Sequence, residues 1–414
     1  MRIIRPTSIE LEKFFNRSCN HKERIKATVS RILLDVRMNQ DDAIAKYTKK
    51  FDKVRLKSRQ LRVTEAEISA AFQNIPSDFV SDLKKIIENI NRFYRRQLKH
   101  NWRIKDENGA IVGEQFHPLD KVGVYIPAGT APLVSCVYMT VQPAKIAGVK
   151  KIILVSPPDK NGLINPYILA VASLLKVDEI YKVGGAQAIA ALAFGTKTIP
   201  RVDKIVGPGN AYVAEAKRQV FGYVDIDMIA GPTELVIIAS NDSDQKFIVA
   251  DMRAQREHVG GQAILITPSK KLAKAIRFAI PEKNYGCIIL VENLQEAVEI
   301  NNKIAPEHTE LLTNNPKKLL KEIRNTGVVF LGPYSPTAVG DYVAGPSHVL
   351  PTGGTARFFS GLSLGDFMRS THVISYNKKA LEDVKPIIEK MCTIEGLQKH
   401  WESVSVRFQQ GREQ

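Results

Sequence analysis

The spacing of apolar positions along the chain changes near residue 118. Before it, apolar side chains recur three and four apart, as in "DDAIAKYTKKFDKV" and "SDFVSDLKKIIENINRFYRRQL". That period puts them on one helical face, and Asp or Ser stands at each start, where a capping side chain belongs. Residues 1–110 are therefore predicted to be mostly helical. Beyond 118, short apolar runs alternate with helical stretches. "KVGVYIPAG" (121–129), "KKIILVSPP" (150–158), "EIYKVGG" and "KIVGPG" read as buried strands, with "PLVSCVYMTVQPAKIAGV", "LINPYILAVASLLKV", "AQAIAALAFG" and "NAYVAEAKRQVFG" as helices. The rhythm resumes with "ELVIIAS", "QAILITPS", "CIILVEN", "ELLT" and "GVVFLG" as strands, and "DQKFIVADMRAQREH", "KKLAKAIRFAI", "LQEAVEINNKIAPEH" and "PKKLLKEI" as the helices between them. Such alternation predicts parallel sheets covered on both faces. The fold class is α/β: two tandem Rossmann-like modules with parallel sheets, plus a helical N-terminal region. After about residue 362 a small C-terminal tail holds helices and one strand.

Composition adds limits. A chain of 414 residues is long enough for two or more domains and a large core, and its 44% hydrophobic and 25% charged residues are ordinary for a globular protein. No apolar run reaches bilayer length, and "MRIIRPTSIELEKFF" lacks the apolar stretch of a signal peptide. A soluble cytoplasmic protein with no membrane partner is expected. Cys19, Cys136, Cys287 and Cys392 are widely spaced and form no CxxC pair, so they read as reduced thiols. The net charge is +16, and the first 110 residues carry 25 Lys and Arg against 14 Asp and Glu. "RFYRRQLKHNWRIK" (92–105) interleaves aromatic and basic residues. With no helix-turn-helix, RNP or zinc-finger pattern beside it, a solvated basic face is expected, without a nucleic-acid partner.

Three glycine turns follow predicted strands: "PAGTAP" (127–132), "GGAQA" (184–188) and "GPGNA" (207–211). Ligands of parallel α/β sheets bind at the carboxyl ends of strands, and helix N-termini attract phosphate. None of the turns matches G-x-G-x-x-G, so each alone is a plain turn; three together point to a ligand cleft. Tyr125, Gln187 and Asn210 are the polar residues beside it. Of the eight histidines, His21, His100, His117 and His372 have no polar company and read as structural or surface. The other four have context. Gln255 and His258 are three apart, which on a helix places both on one face. Glu307 precedes His308 in "IAPEHTELL", His348 lies seven residues after Asp341, and His400 five after Glu395. Gln255, His258, Asp341 and His400 together would suit Zn²⁺, with Mn²⁺ or Co²⁺ as alternatives, although spacing alone does not assemble them. Glu307–His308 is the candidate acid–base unit. Residue chemistry reaches a metal-containing α/β enzyme with a nucleotide-like cleft and no further.

From about residue 30 to 408 the chain resembles histidinol dehydrogenases. The resemblance rests on "DAIAKYTKKFD", "VGVYIPAGTAPL", "VGGAQAIAALAFGT", "VDKIVGPGNAYVAEAKR", "IDMIAGPTELVIIA", "AQREH", "APEHTELL", "GDYVAGPSHVLPTGGTARFFSGLSLGDF" and "EGLQKH", in that order. It implies an NAD-dependent, four-electron oxidation of L-histidinol to L-histidine through the aldehyde, the last step of histidine biosynthesis. It implies a homodimer with shared active sites and one Zn²⁺ in each. By position, Gln255, His258, Asp341 and His400 would bind the metal. Glu307 would activate water for the second oxidation, and His308 would take the alcohol proton in the first. Tyr125, Gln187 and Asn210 would line the NAD cleft. Thr233, His348 and Glu395 would face the substrate with the metal ligands and His308. Glu395 and His400 would come from the partner's tail. The expected divisions are an extension at 1–20, a discontinuous α/β domain at 21–124 and 235–361, an NAD-cleft domain at 125–234, and a swapped tail at 362–414. Arg256 and Val259 stand where the family usually has a small residue and Gly, Ala128 where it has Gly, and Thr233 where it has Ser. A relative acting on another amino or sulfonate alcohol is the competing reading; a carboxylate at Glu395 suits a cationic amine better than an anion. A non-enzymatic descendant would have lost Glu307 or a metal ligand, and none is lost.

Overall fold

The computed structural model describes residues 1–7, 12, 15, 23–73, 75–129, 131–258, 260–282 and 285–409. Cys19, His21, Val259 and most of the 1–20 extension lie outside the described residues. The chain divides into two compact units, Met1–Leu98 with Pro118–Phe367, and Lys99–His117 with Met368–Gln414.

The first unit holds both predicted parallel sheets. In one, five strands run in the order Glu179–Lys182, Lys151–Ser156, Lys121–Tyr125, Lys204–Val206, Asp225–Ile226, all parallel. Chain order reverses between Lys121–Tyr125 and Lys204–Val206, which makes that junction a topological switch point, the place where parallel α/β sheets bind ligands. The other sheet has six parallel strands: Arg2–Ile4, Gly286–Leu290, Gln262–Thr267, Glu234–Ala239, His308–Leu312 and Val328–Leu331. Its central strands are continuous apolar runs because helices cover both faces; every residue of Glu234–Ala239 is buried. Ile237, Leu265 and Ile288 pack on Ile248, Met252 and Ile276 on one face, and Val236, Ile264 and Ile289 on Ala297, Val298 and Ile304 on the other. The alanine-rich helix Gly185–Phe194 is almost wholly buried, and Val29, Ile32 and Ile44 of the Glu23–Phe51 segment belong to the same core. That segment is two helical stretches meeting at Gln40.

The helical expectation for residues 1–110 needs correction at both ends. Arg2–Ile4 is an edge strand of the six-stranded sheet, too short to show a period. Trp102–Lys105 pairs antiparallel with Ile111–Pro118, and a third strand, Met368–Ser375, completes a small sheet of the second unit. There Asp106 Oδ1 accepts the N–H groups of Asn108 and Ala110, shaping the turn between the first two strands. Helices Lys378–Glu395 and Gln398–Ser405 make up the rest. Among the described residues no helix is long and apolar enough to cross a membrane.

Candidate active site

The six-stranded sheet positions the acid–base pair. Glu307 ends the connection from helix Leu294–Ile304, which stops at Ala305 in left-handed conformation, and His308 opens the next strand. Both side chains are buried. The neighbouring strand start, Glu234, binds both through its backbone: its N–H donates to Glu307 Oε2 at 3.2 Å, and its carbonyl oxygen lies 3.2 Å from His308 Nδ1. An N–H on Nδ1 makes the second contact a hydrogen bond and leaves Nε2 as an acceptor. Burial lowers the pKa of His308, opposed by the charge of Asp341 and by the Glu234 carbonyl, so the ring is neutral at pH 7. Burial pushes Glu307 up to about 8, against hydrogen bonds from the Thr233 hydroxyl and the Glu234 N–H. Asp341 raises it further and His258 lowers it. An acid and a base with opposite shifts thus stand side by side, the Glu307 and His308 atoms 3.6 Å apart.

Gln255 is buried and is the last residue of helix Gln245–Gln255. Its Nε2 donates to Thr233 Oγ1 at 3.0 Å, and the Thr233 hydroxyl in turn serves Glu307. The helix does not continue to His258, which lies exposed in the bend that follows. The shared helical face expected for Gln255 and His258 is therefore not formed; the turn brings His258 toward the site instead, where its charge acts on Glu307, His308 and Asp341. Arg256 donates to the Gly261 carbonyl at 2.6 Å and lies 5.3 Å from the Tyr285 ring centroid, which occupies its charge.

Asp341 sits on the short helix Thr337–Tyr342. Burial raises its pKa while His308 and His258 lower it. Its carbonyl oxygen is 3.0 Å from Nδ1 of His348, whose Nε2 is 3.2 Å from Cys136 Sγ. Burial lowers His348 to about 4 and raises the Cys136 thiol, so the thiol donates and the imidazole accepts. Cys136, read from sequence only as a reduced thiol, thus has a partner at the site. Glu234 was also missed, because backbone contacts leave no signature in residue type.

At the five-stranded sheet, Tyr125 ends its strand and its hydroxyl accepts the Gly185 N–H at 3.1 Å. Burial pushes its pKa up to about 12. Gly207 has φ +117°, and a Cβ there would overlap the Tyr125 carbonyl, so these two strand ends approach as only glycine permits. Gln187 is buried, and neither its Oε1 nor its Nε2 finds a hydrogen-bond partner among the described residues. Asn210 is exposed and caps helix Ala211–Val220, accepting the Tyr212 and Val213 N–H groups. Glu395 and His400 lie in the second unit, both exposed.

The metal and cofactor expectations have a physical check in these residues. Gln255 commits its NH₂ to Thr233, which leaves its oxygen as donor, and Asp341 and His258 add one oxygen and one nitrogen ligand type. This mixed set fits a divalent cation of zinc type. Among the described residues no group of three His, Cys, Asp or Glu side chains is set to hold a metal. The buried, unpartnered amide of Gln187 at a helix start fits a polar ligand at the switch-point cleft.

The family model for histidinol dehydrogenase matches residues 15–408. The chain belongs to the histidinol dehydrogenase family. It is 47% identical to the histidinol dehydrogenase of Clostridium acetobutylicum, with 99% of each chain covered, and 46% identical to that of Caldanaerobacter subterraneus over 96% and 95%. A crystal structure of histidinol dehydrogenase from Elizabethkingia anophelis superposes with a TM-score of 0.92 at 35% identity, covering 99% of this chain and 98% of that one. Membership of the histidinol dehydrogenases makes the protein an oxidoreductase.

Proposed function

We propose that the protein oxidises L-histidinol to L-histidine through the aldehyde, consuming two NAD⁺ and one water, at a zinc-dependent site shared between two copies of the chain. The observation that carries this reading is the buried Glu307–His308 pair with opposite pKa shifts beside Asp341 and His258. When bound, NAD⁺ would serve as the hydride acceptor of each oxidation, and zinc would supply a positive charge that grips and orients the substrate.

The chain's own groups do the rest. His308, held by the Glu234 carbonyl, takes the alcohol proton at Nε2 in the first oxidation. Asp341 stabilises the imidazolium that results. In the second, Glu307 takes a proton from the water that adds to the aldehyde, and the Thr233 hydroxyl and Glu234 N–H steady the carboxylate. Gln255, His258 and Asp341 would hold the metal, with His400 from a second copy; Glu395 from that copy would meet the substrate's cationic amine. Thr233 and His348 would face the substrate, and Tyr125, Gln187 and Asn210 the NAD cleft. Retention at one site explains why both oxidations share it: a free aldehyde is reactive.

The test separates the two steps. Glu307→Gln should leave alcohol oxidation near its normal rate, and aldehyde oxidation should fall by about 10²–10⁴-fold. Equal losses in both steps would remove Glu307 from the role of water-activating base.

A further inference from the structure

Two carboxyl groups that the mechanism does not use, Glu310 and Asp251, are neighbours that influence each other. Glu310 is two residues beyond His308, so it points to the same face of the sheet. It is buried, and Leu312 of that face packs among Ile248, Val249 and Met252 of helix Gln245–Gln255. Asp251 belongs to that helix, one turn before Gln255. Glu310 Oε1 accepts the N–H of Thr337 at 3.1 Å, the first residue of the helix that carries Asp341. Glu310 Oε2 is buried and has no donor if both carboxyls are ionised. A proton shared with Asp251 supplies one.

We propose that Glu310, bridged to Asp251 through a shared proton, is a positioning residue that ties the helix bearing Asp341 to the helix bearing Gln255 and so sets the spacing of the cation ligands. The inference rests on the reading that Gln255 and Asp341 bind a divalent cation. The pair's chemistry agrees. Burial, then the charge of Asp251, pushes Glu310 up to about 9, and burial pushes Asp251 up to about 6, so one proton stays between them at neutral pH. The helix Thr337–Tyr342 has no capping side chain of its own, since Pro336 precedes it; Glu310 supplies the acceptor from the sheet.

The test uses the full-length protein and Zn²⁺ itself. Affinity is measured by competition with a chromophoric chelator for wild type, Glu310→Gln and Glu310→Leu, with unfolding transitions recorded in parallel. Gln can accept from Thr337 and donate to Asp251, so Glu310→Gln should keep wild-type affinity within about threefold. Glu310→Leu should lose affinity by about 10–100-fold while still unfolding cooperatively, the range found when groups that orient metal ligands are removed. If Glu310→Leu binds Zn²⁺ as wild type does, the positioning role is wrong and the metal site stands. If Glu310→Gln loses as much as Glu310→Leu, the proton-sharing bridge is wrong. A wild-type chain that takes up no stoichiometric Zn²⁺ overturns the underlying metal reading, and the inference with it.

Discussion

At the scale of single residues, the site works by desolvation. An exposed carboxyl stays ionised at neutral pH and is a weak base; buried at the start of a strand, Glu307 is pushed up to about 8, close to where a base is most effective. The base is the ionised form, so aldehyde oxidation should rise with pH and level off once the carboxyl has lost its proton. A bound cation favours the carboxylate, which places that limb at or below about pH 8. The pH profile of kcat/KM for the aldehyde checks this. A profile flat across that range would mean that Glu307 is not the group that ionises. His308 is shifted down, so its free base predominates there. The residue types were legible in the sequence. Their states were not, because both are set first by burial in the fold and then by the backbone groups of Glu234, which bond across from the neighbouring strand.

At the scale of elements, ends matter more than lengths. The helix that carries Gln255 stops there, and His258 lies in the bend beyond it; the three-residue spacing that reads as one helical face is a helix end followed by a bend. Asn210, selected for its place in a glycine turn, spends its side-chain oxygen capping a helix. The turn at Gly207 is held by a group no motif announces. Asp227 Oδ2 accepts the Gly207 N–H at 2.8 Å, Lys217 Nζ donates to the Gly207 carbonyl at 3.0 Å, and Lys217 and Asp227 are themselves paired and buried. Removing one member leaves a buried charge alone, so Lys217→Met should cost about 3–5 kcal/mol in denaturant unfolding. Lys217→Met with Asp227→Asn should recover part of that loss, since no unpaired charge remains. Equal destabilisation of single and double variants would show that packing of the Lys217 chain, rather than the charge pair, carries the effect.

For the whole molecule, the two parallel sheets were legible because both faces of their central strands are buried and the apolar runs there are therefore continuous. The edge strand Arg2–Ile4 and the small sheet formed by 102–118 with 368–375 were not, since short or exposed strands leave no period to read. The Glu307–His308 site draws on segments far apart in sequence, brought together at the strand starts Glu234 and His308 of the six-stranded sheet, and resemblance to the histidinol dehydrogenases implies a ligand set that spacing could not assemble. The single observation that decides the proposed function is a product balance with limiting histidinol, taken before and after chelator treatment. Two NADH and one histidine are expected for each histidinol consumed, with no free aldehyde, loss of both products on metal removal, and recovery with Zn²⁺. One NADH per histidinol with the aldehyde released, or undiminished turnover by the metal-stripped protein, would contradict it.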